Sequence, residues 1–130
     1  MRRGEDIQWL RGQGVRLVVS VSPWRHNLAA YDAARLAWVH VPVADAAGAG
    51  RELDVVRTLL RREVRLRGAV AVHGDYRTDF VAAVCAAHLH EASGVDPAEG
   101  LLRAAREGLH VSEAACELLG VRVEDVMPGT

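Results

Sequence analysis

The stretch from Ala69 to Ala87 constrains the fold more than any other part of the chain. Ala69-Val70-Ala71-Val72 is an unbroken apolar run of strand length, His73–Asp79 is a short polar turn, and Phe80–Ala87 is apolar again at helical length. A strand with no polar face needs cover on both sides, as parallel strands have when helices flank their sheet. A helix that follows such a strand brings its free N–H groups to the strand's carboxyl end, where open α/β folds bind ligands. The turn His73–Asp79 is therefore the first place to look for function.

The rest of the chain repeats this alternation. Residues 6–14 read as a short helix with Ile7, Leu10 and Trp9 on its apolar side and Gly14 as its left-handed cap. Residues 15–21 form a buried strand and 22–27 a loop begun by Ser22-Pro23. An Ala-rich helix over 28–36 follows, with Asn27 as its N-cap, and then a strand over 37–41 stopped by Pro42. Residues 43–50 are a small-residue loop carrying one acid, Asp45. Leu53, Val56, Leu59, Leu60 and Val64 make the apolar stripe of a helix over 51–65, and the strand 69–72 is expected to be central and parallel. A helix over 80–92 closes at Gly94. Asp96-Pro97 with Glu99 opens another, Ser112 and Gly120 bracket a last one, and 121–130 are a tail. This order predicts a single α/β domain over 1–130, with three layers and a mainly parallel central sheet of about four strands flanked by helices.

Composition narrows the function classes. The chain has 130 residues, 50% hydrophobic and 25% charged, which suits one globular core. All sixteen basic residues are Arg, yet the net charge is only -1, so no global basic field points to nucleic acid or an acidic membrane. Arg61, Arg62, Arg65 and Arg67 read as a solvated helix end, where cations suit the helix dipole. No apolar run reaches the roughly 20 residues of a membrane helix, and no secretory signal follows Met1, so a cytoplasmic protein is expected. Cys85 and Cys116 show neither a disulfide framework nor zinc spacing. His88 and His90, two apart on a helix, point to different faces, so no metal and no cofactor are expected. Trp9, Trp24 and Trp38 are expected in core or loop packing, and Tyr76 either covers the pocket mouth or simply fills the loop.

In order and spacing, several segments resemble the cysteine-dependent protein tyrosine and dual-specificity phosphatases. Trp9-Leu10-Arg11-Gly12-Gln13-Gly14-Val15 with Val18-Val19-Ser20 is similar to that family's opening helix and strand. Trp38-Val39-His40-Val41-Pro42-Val43-Ala44-Asp45 resembles the stretch that carries its general acid, and the resemblance puts Asp45 in that role. Val70-Ala71-Val72-His73 resembles the strand before the catalytic loop, and Gly94-Val95-Asp96-Pro97-Ala98-Glu99 a later helix start. The family's loop reads HCxxGxxR followed by Ser or Thr. Its thiolate attacks phosphorus while backbone N–H groups and the Arg hold the phosphate oxygens.

This chain departs from the motif where the chemistry lies. Gly74 follows His73 at the nucleophile's position. Without gaps, Arg77 falls on the family's Gly and Phe80 on its Arg; alternatively Arg77-Thr78 is the Arg-Ser/Thr pair and the loop is three residues shorter. Neither register supplies a cysteine. Cys85 lies about 10 Å along the following helix, where burial should leave its thiol inert. Asp75 and Asp79 place carboxylates where phosphate would sit, opposed only by Arg77.

The reading is a phosphatase-like protein with a degenerate loop, catalytically inactive, serving as a binding or regulatory module for a phospho-ligand or a protein. The site residues to follow are Asp45, His73, Gly74, Asp75, Arg77, Thr78 and Asp79. The alternatives are a hydrolase of altered chemistry using His73, Asp75, Asp79 or Asp45, residual phosphatase activity, and a scaffold that binds through an apolar patch elsewhere. The family's first strand finds little sequence ahead of residue 6, so a sheet edge that is bare, or closed by the C-terminal tail or by another chain in a homodimer, is a further expectation.

Overall fold

The computed structural model describes residues 3–25, 27–74 and 78–127. In chain order the elements are α1 (Arg3–Gly12), β1 (Val15–Ser20), α2 (Leu28–Ala33), β2 (Ala37–His40), α3 (Gly50–Arg67), β3 (Ala69–His73), α4 (Asp79–Ser93), α5 (Pro97–Arg106), α6 (Glu113–Leu119) and α7 (Val123–Val126). The strands form one parallel sheet in the order β2-β1-β3. Among the described residues it has three strands, one fewer than expected, and β3 lies at an edge rather than at the centre. The central strand is β1, whose Leu17, Val18, Val19 and Ser20 are all buried, whereas no residue of β3 is.

Strand alternation sorts the core into layers. Leu17, Val19 and Val21 pack with Leu53, Val56 and Leu60 of α3 and Phe80 and Val84 of α4. On the opposite face Val18 packs with Ile7 of α1, Leu28 and Tyr31 of α2, and Leu36. A third cluster lies beyond α4, where Ala82, Ala83 and Ala86 meet Leu101 of α5, Cys116 of α6 and Val126 of α7. The apolar character of α4 all round follows from this: it is covered by the sheet and α3 on one side and by α5 and α6 on the other.

Several expected signals differ from what forms. Asn27 makes no side-chain cap on α2. Trp9 is 63% exposed, because Ile7 already fills the inward side of α1. The tail contains a helical turn, α7, held by buried Val126. Other signals form as read. Asp96 accepts a hydrogen bond from the Ala98 N–H at 2.8 Å, and Ser112 Oγ accepts one from the Ala115 N–H at 3.1 Å. Gly94 and Gly120 take left-handed caps.

Helices α3 and α4 are also tied at the surface. Glu91 accepts from Arg57 Nε at 2.6 Å and from Arg61 at 3.4 Å. Burial alone pushes the Glu91 carboxyl upward, but the hydrogen bond and charge of Arg57, with Arg61 behind, outweigh it and hold the group below the ordinary carboxylate range. A depressed carboxylate stabilises the fold above its unfolded pKa, and that contribution is lost as pH falls through the folded value. Glu91→Gln is thus expected to cost about 0.5–1 kcal/mol at neutral pH, typical of a surface pair. In urea denaturation the gap to the parent should close on acidification toward about pH 3. A gap that stays constant or widens at low pH would refute the ion pair's part in stability.

Candidate functional site

All three strands end at one side of the sheet, and the segments that leave them enclose a cavity of about 650 Å³. Its described walls are Val21, Ser22, Pro23 and Trp24 after β1, Val43, Ala44, Asp45 and Ala46 after β2, Gly74 after β3, and Asp79 and Phe80 at the start of α4. This is the crevice beyond the carboxyl ends of parallel strands that α/β folds use for ligands. Backbone hydrogen bonds carry the ladders into it. Val21 N–H donates to the His73 carbonyl at 2.8 Å, Val41 N–H to Ser20 at 2.9 Å, and Val43 N–H to Val21 at 3.1 Å. The three exit segments are thereby held in register with one another.

Of the residues singled out from sequence, Asp45, Gly74 and Asp79 meet in the cavity wall. Asp75, Tyr76 and Arg77 lie outside the described residues. His73 ends β3, paired in register with Ser20, which on its other side pairs with His40. His40 Nε2 lies 2.7 Å from the Ser22 carbonyl oxygen. A carbonyl only accepts, so Nε2 carries the proton. The Ser20 hydroxyl, fully buried between the two histidine strands, has no hydrogen-bond partner among the described residues.

Asp45 is exposed, and its Oδ1 accepts from the Ala47 N–H at 3.1 Å, a local turn of the kind Asp side chains favour. It does not cap α3, which starts without a side-chain cap at Ala49. Asp79 behaves differently. It is 5% exposed at the first position of α4, with Oδ1 accepting from the Phe80 N–H at 3.0 Å and Oδ2 from the Ser112 hydroxyl at 2.8 Å. Thr78 leaves the α4 cap unmade and turns its hydroxyl to accept from the His110 N–H at 2.7 Å. The end of the turn is thus bound to the segment between α5 and α6.

Neither thiol is in the cavity wall. Cys85 lies inside α4 and burial raises its pKa; Cys116 is fully buried in α6, where burial and then the charge of Glu113 raise it. Among the described residues no group of His, Cys, Asp and Glu could hold a metal ion, and no helix is long and apolar enough to cross a membrane.

Sequence reading missed Trp24 and Ser112 as parts of the site. Trp24 was legible only as a packing residue, and Ser112 only as the cap of α6. That second use of its hydroxyl spans 33 residues of sequence and has no local signature.

Neither a family model nor a curated protein matches this chain in sequence. Solved structures match it in fold. Human DUSP28 is 24% identical with a TM-score of 0.66, covering 87% of this chain and 77% of that one. The PTP-2 phosphatase of Cydia pomonella is 18% identical with a TM-score of 0.77, over 91% of this chain and 78% of that one. Tk-PTP in its active form is 19% identical at a TM-score of 0.70, over 85% and 79%. The parallel sheet and the flanking helices thus have the fold of the dual-specificity and protein tyrosine phosphatases.

Proposed function

We propose that this protein is a catalytically inactive, phosphatase-like binding or regulatory module. The observation that carries the reading is Gly74, which lines the cavity directly after β3, at the position of the nucleophile in the resembled motif. Covalent phosphoryl transfer needs a side chain that attacks phosphorus and later yields it to water. Glycine has none. The two thiols of the chain sit elsewhere, in helices α4 and α6, with raised pKa values that favour the unreactive protonated form.

The carboxylates support inactivity too. A general acid works only where a leaving group forms, and Asp45 faces a cavity without a thiol to form one. Both oxygens of Asp79 already accept hydrogen bonds from the fold. This disfavours a hydrolase of altered chemistry built on Asp79.

The expected result with phenyl phosphate is turnover no faster than the buffer blank, for the parent and for Asp45→Ala alike. Robust hydrolysis that Asp45→Ala abolishes would overturn the reading, because it would restore a nucleophile and a working acid to this cavity.

A further inference from the structure

We propose that the outer edge of β3 and the adjoining flank of α3 form the interface of a twofold dimer, in which β3 of a second copy of this chain pairs antiparallel to β3. This is independent of the inactive reading. The strand order β2-β1-β3 leaves β3 at an edge of the sheet, and no described strand lies beyond it. Val21 N–H donates to the His73 carbonyl, so His73 and Ala71 turn their backbone groups toward β1, and Val70 and Val72 turn theirs outward. Proteins blunt such an edge with charges, with proline or with a very short strand. The other edge has two of these devices, since β2 has four residues and Pro42 follows soon after it. Ala69-Val70-Ala71-Val72 has none. Nor does the C-terminal tail close the edge, because α7 packs with α5 and α6 beyond α4.

Two observations point to a second copy as the occupant. The first is the symmetry of the edge. Val70 and Val72 each offer one N–H and one carbonyl, so a twofold axis at Ala71 pairs each valine with the other valine of the second copy and leaves no group over. The second is α3. Val55, Leu59 and Leu66 fall on one flank of that helix, roughly opposite Arg57 and Arg61, which are tied to Glu91 of α4. Val55 is 46% and Leu66 72% exposed. The cluster that α3 packs into draws Leu17 and Val19 from β1 and Val70 and Val72 from β3, so α3 lies over the gap between those strands. With strands about 4.8 Å apart, pairing at the β3 edge sets the two α3 helices about 10 Å apart, the contact distance of packed helices. They run antiparallel, and their apolar flanks cover each other. Arg61, Arg62, Arg65 and Arg67 crowd the end of α3, and the twofold keeps the two basic ends apart, each beside the start of the other helix, where Glu52 stands.

Sedimentation of the full chain should show a reversible dimer, with a Kd on the order of 10 µM for an interface at the small end of the specific range. Leu66→Glu puts a carboxylate into the apolar strip at a position already in solvent, so its circular dichroism should match the parent's. It should weaken the dimer about tenfold or more. Ala71→Cys reads the register. Two such residues face each other across a non-hydrogen-bonded antiparallel pair, with Cα atoms about 4.5 Å apart and within disulfide reach. Mild oxidation should cross-link this variant. Val72→Cys faces a valine of the second copy instead, and should cross-link no faster than the parent with its Cys85 and Cys116.

A chain that sediments as a monomer up to about 1 mM, a Leu66→Glu dimer as tight as the parent's, or Val72→Cys cross-linking as fast as Ala71→Cys would each overturn the interface. None of these touches the inactive reading, which fails only on turnover of phenyl phosphate.

Discussion

Gly100→Ala lowers the stability of the fold, although glycine inside a helix is ordinarily the weaker choice. A Cβ at Gly100 would lie 2.9 Å from both Cα and Cβ of Ala86 and 3.4 Å from its carbonyl oxygen. The obstacle is the backbone of α4, so no side chain can swing aside. Helix propensity favours alanine by about 1 kcal/mol, while overpacking a tight contact costs about 1–3 kcal/mol. The second effect wins because α5 must move away from α4 as a unit, opening the contacts around fully buried Leu101. A net loss of about 1–2 kcal/mol is expected for alanine, and about 3 kcal/mol for valine, whose β-branch adds bulk at the same point. Gly12→Ala is the control: it meets nothing within 4 Å and should be neutral or slightly stabilising. Urea midpoints for the three variants decide the matter. A Gly100→Ala protein as stable as the parent would show that α4 and α5 are not pressed together at this point.

The contrast between these two glycines shows where sequence was informative. Features that depend on a few neighbouring residues could be read directly. The period-2 alternation that sends Leu17 and Val19 to one face and Val18 to the other is local, as are the Asp96 and Ser112 caps and the Gly94 and Gly120 stops. Features that depend on distant partners could not. Gly100 reads as a weak helix residue until Ala86 is beside it. β3 reads as central because its sequence is wholly apolar, yet the neighbour order leaves it at the edge. Trp9 reads as packing, but Ile7 takes the inward position and the indole stays in solvent. The site divides the same way. The position of the turn and the absence of a thiol at Gly74 were legible. The engagement of Asp79 with Ser112 was not, because two residues 33 apart in sequence meet only after α4, α5 and α6 have packed.

That engagement gives Asp79→Ala the other large effect. Asp79 is a buried carboxylate that accepts from the Phe80 N–H and the Ser112 hydroxyl, and the same hydroxyl accepts from the Ala115 N–H to cap α6. Removing the carboxylate orphans two donors in a buried setting and takes a negative charge from the N-terminus of α4, where it is favoured. A loss of about 2–4 kcal/mol is expected. Ser112→Ala should cost about 1–2 kcal/mol through the lost cap and the lost donor. If the two residues act as one link, the double variant loses less than the sum of the singles, by about 1 kcal/mol or more. Additive losses would mean that each side chain serves its own helix and that the chain segments are held together by packing alone. The distinction bears on function. The turn after β3 is held at its start by the Val21 N–H bond to the His73 carbonyl, and at its end by Thr78 with His110 and Asp79 with Ser112. A coupled link therefore keeps the cavity wall formed on the side of Gly74 and Asp79.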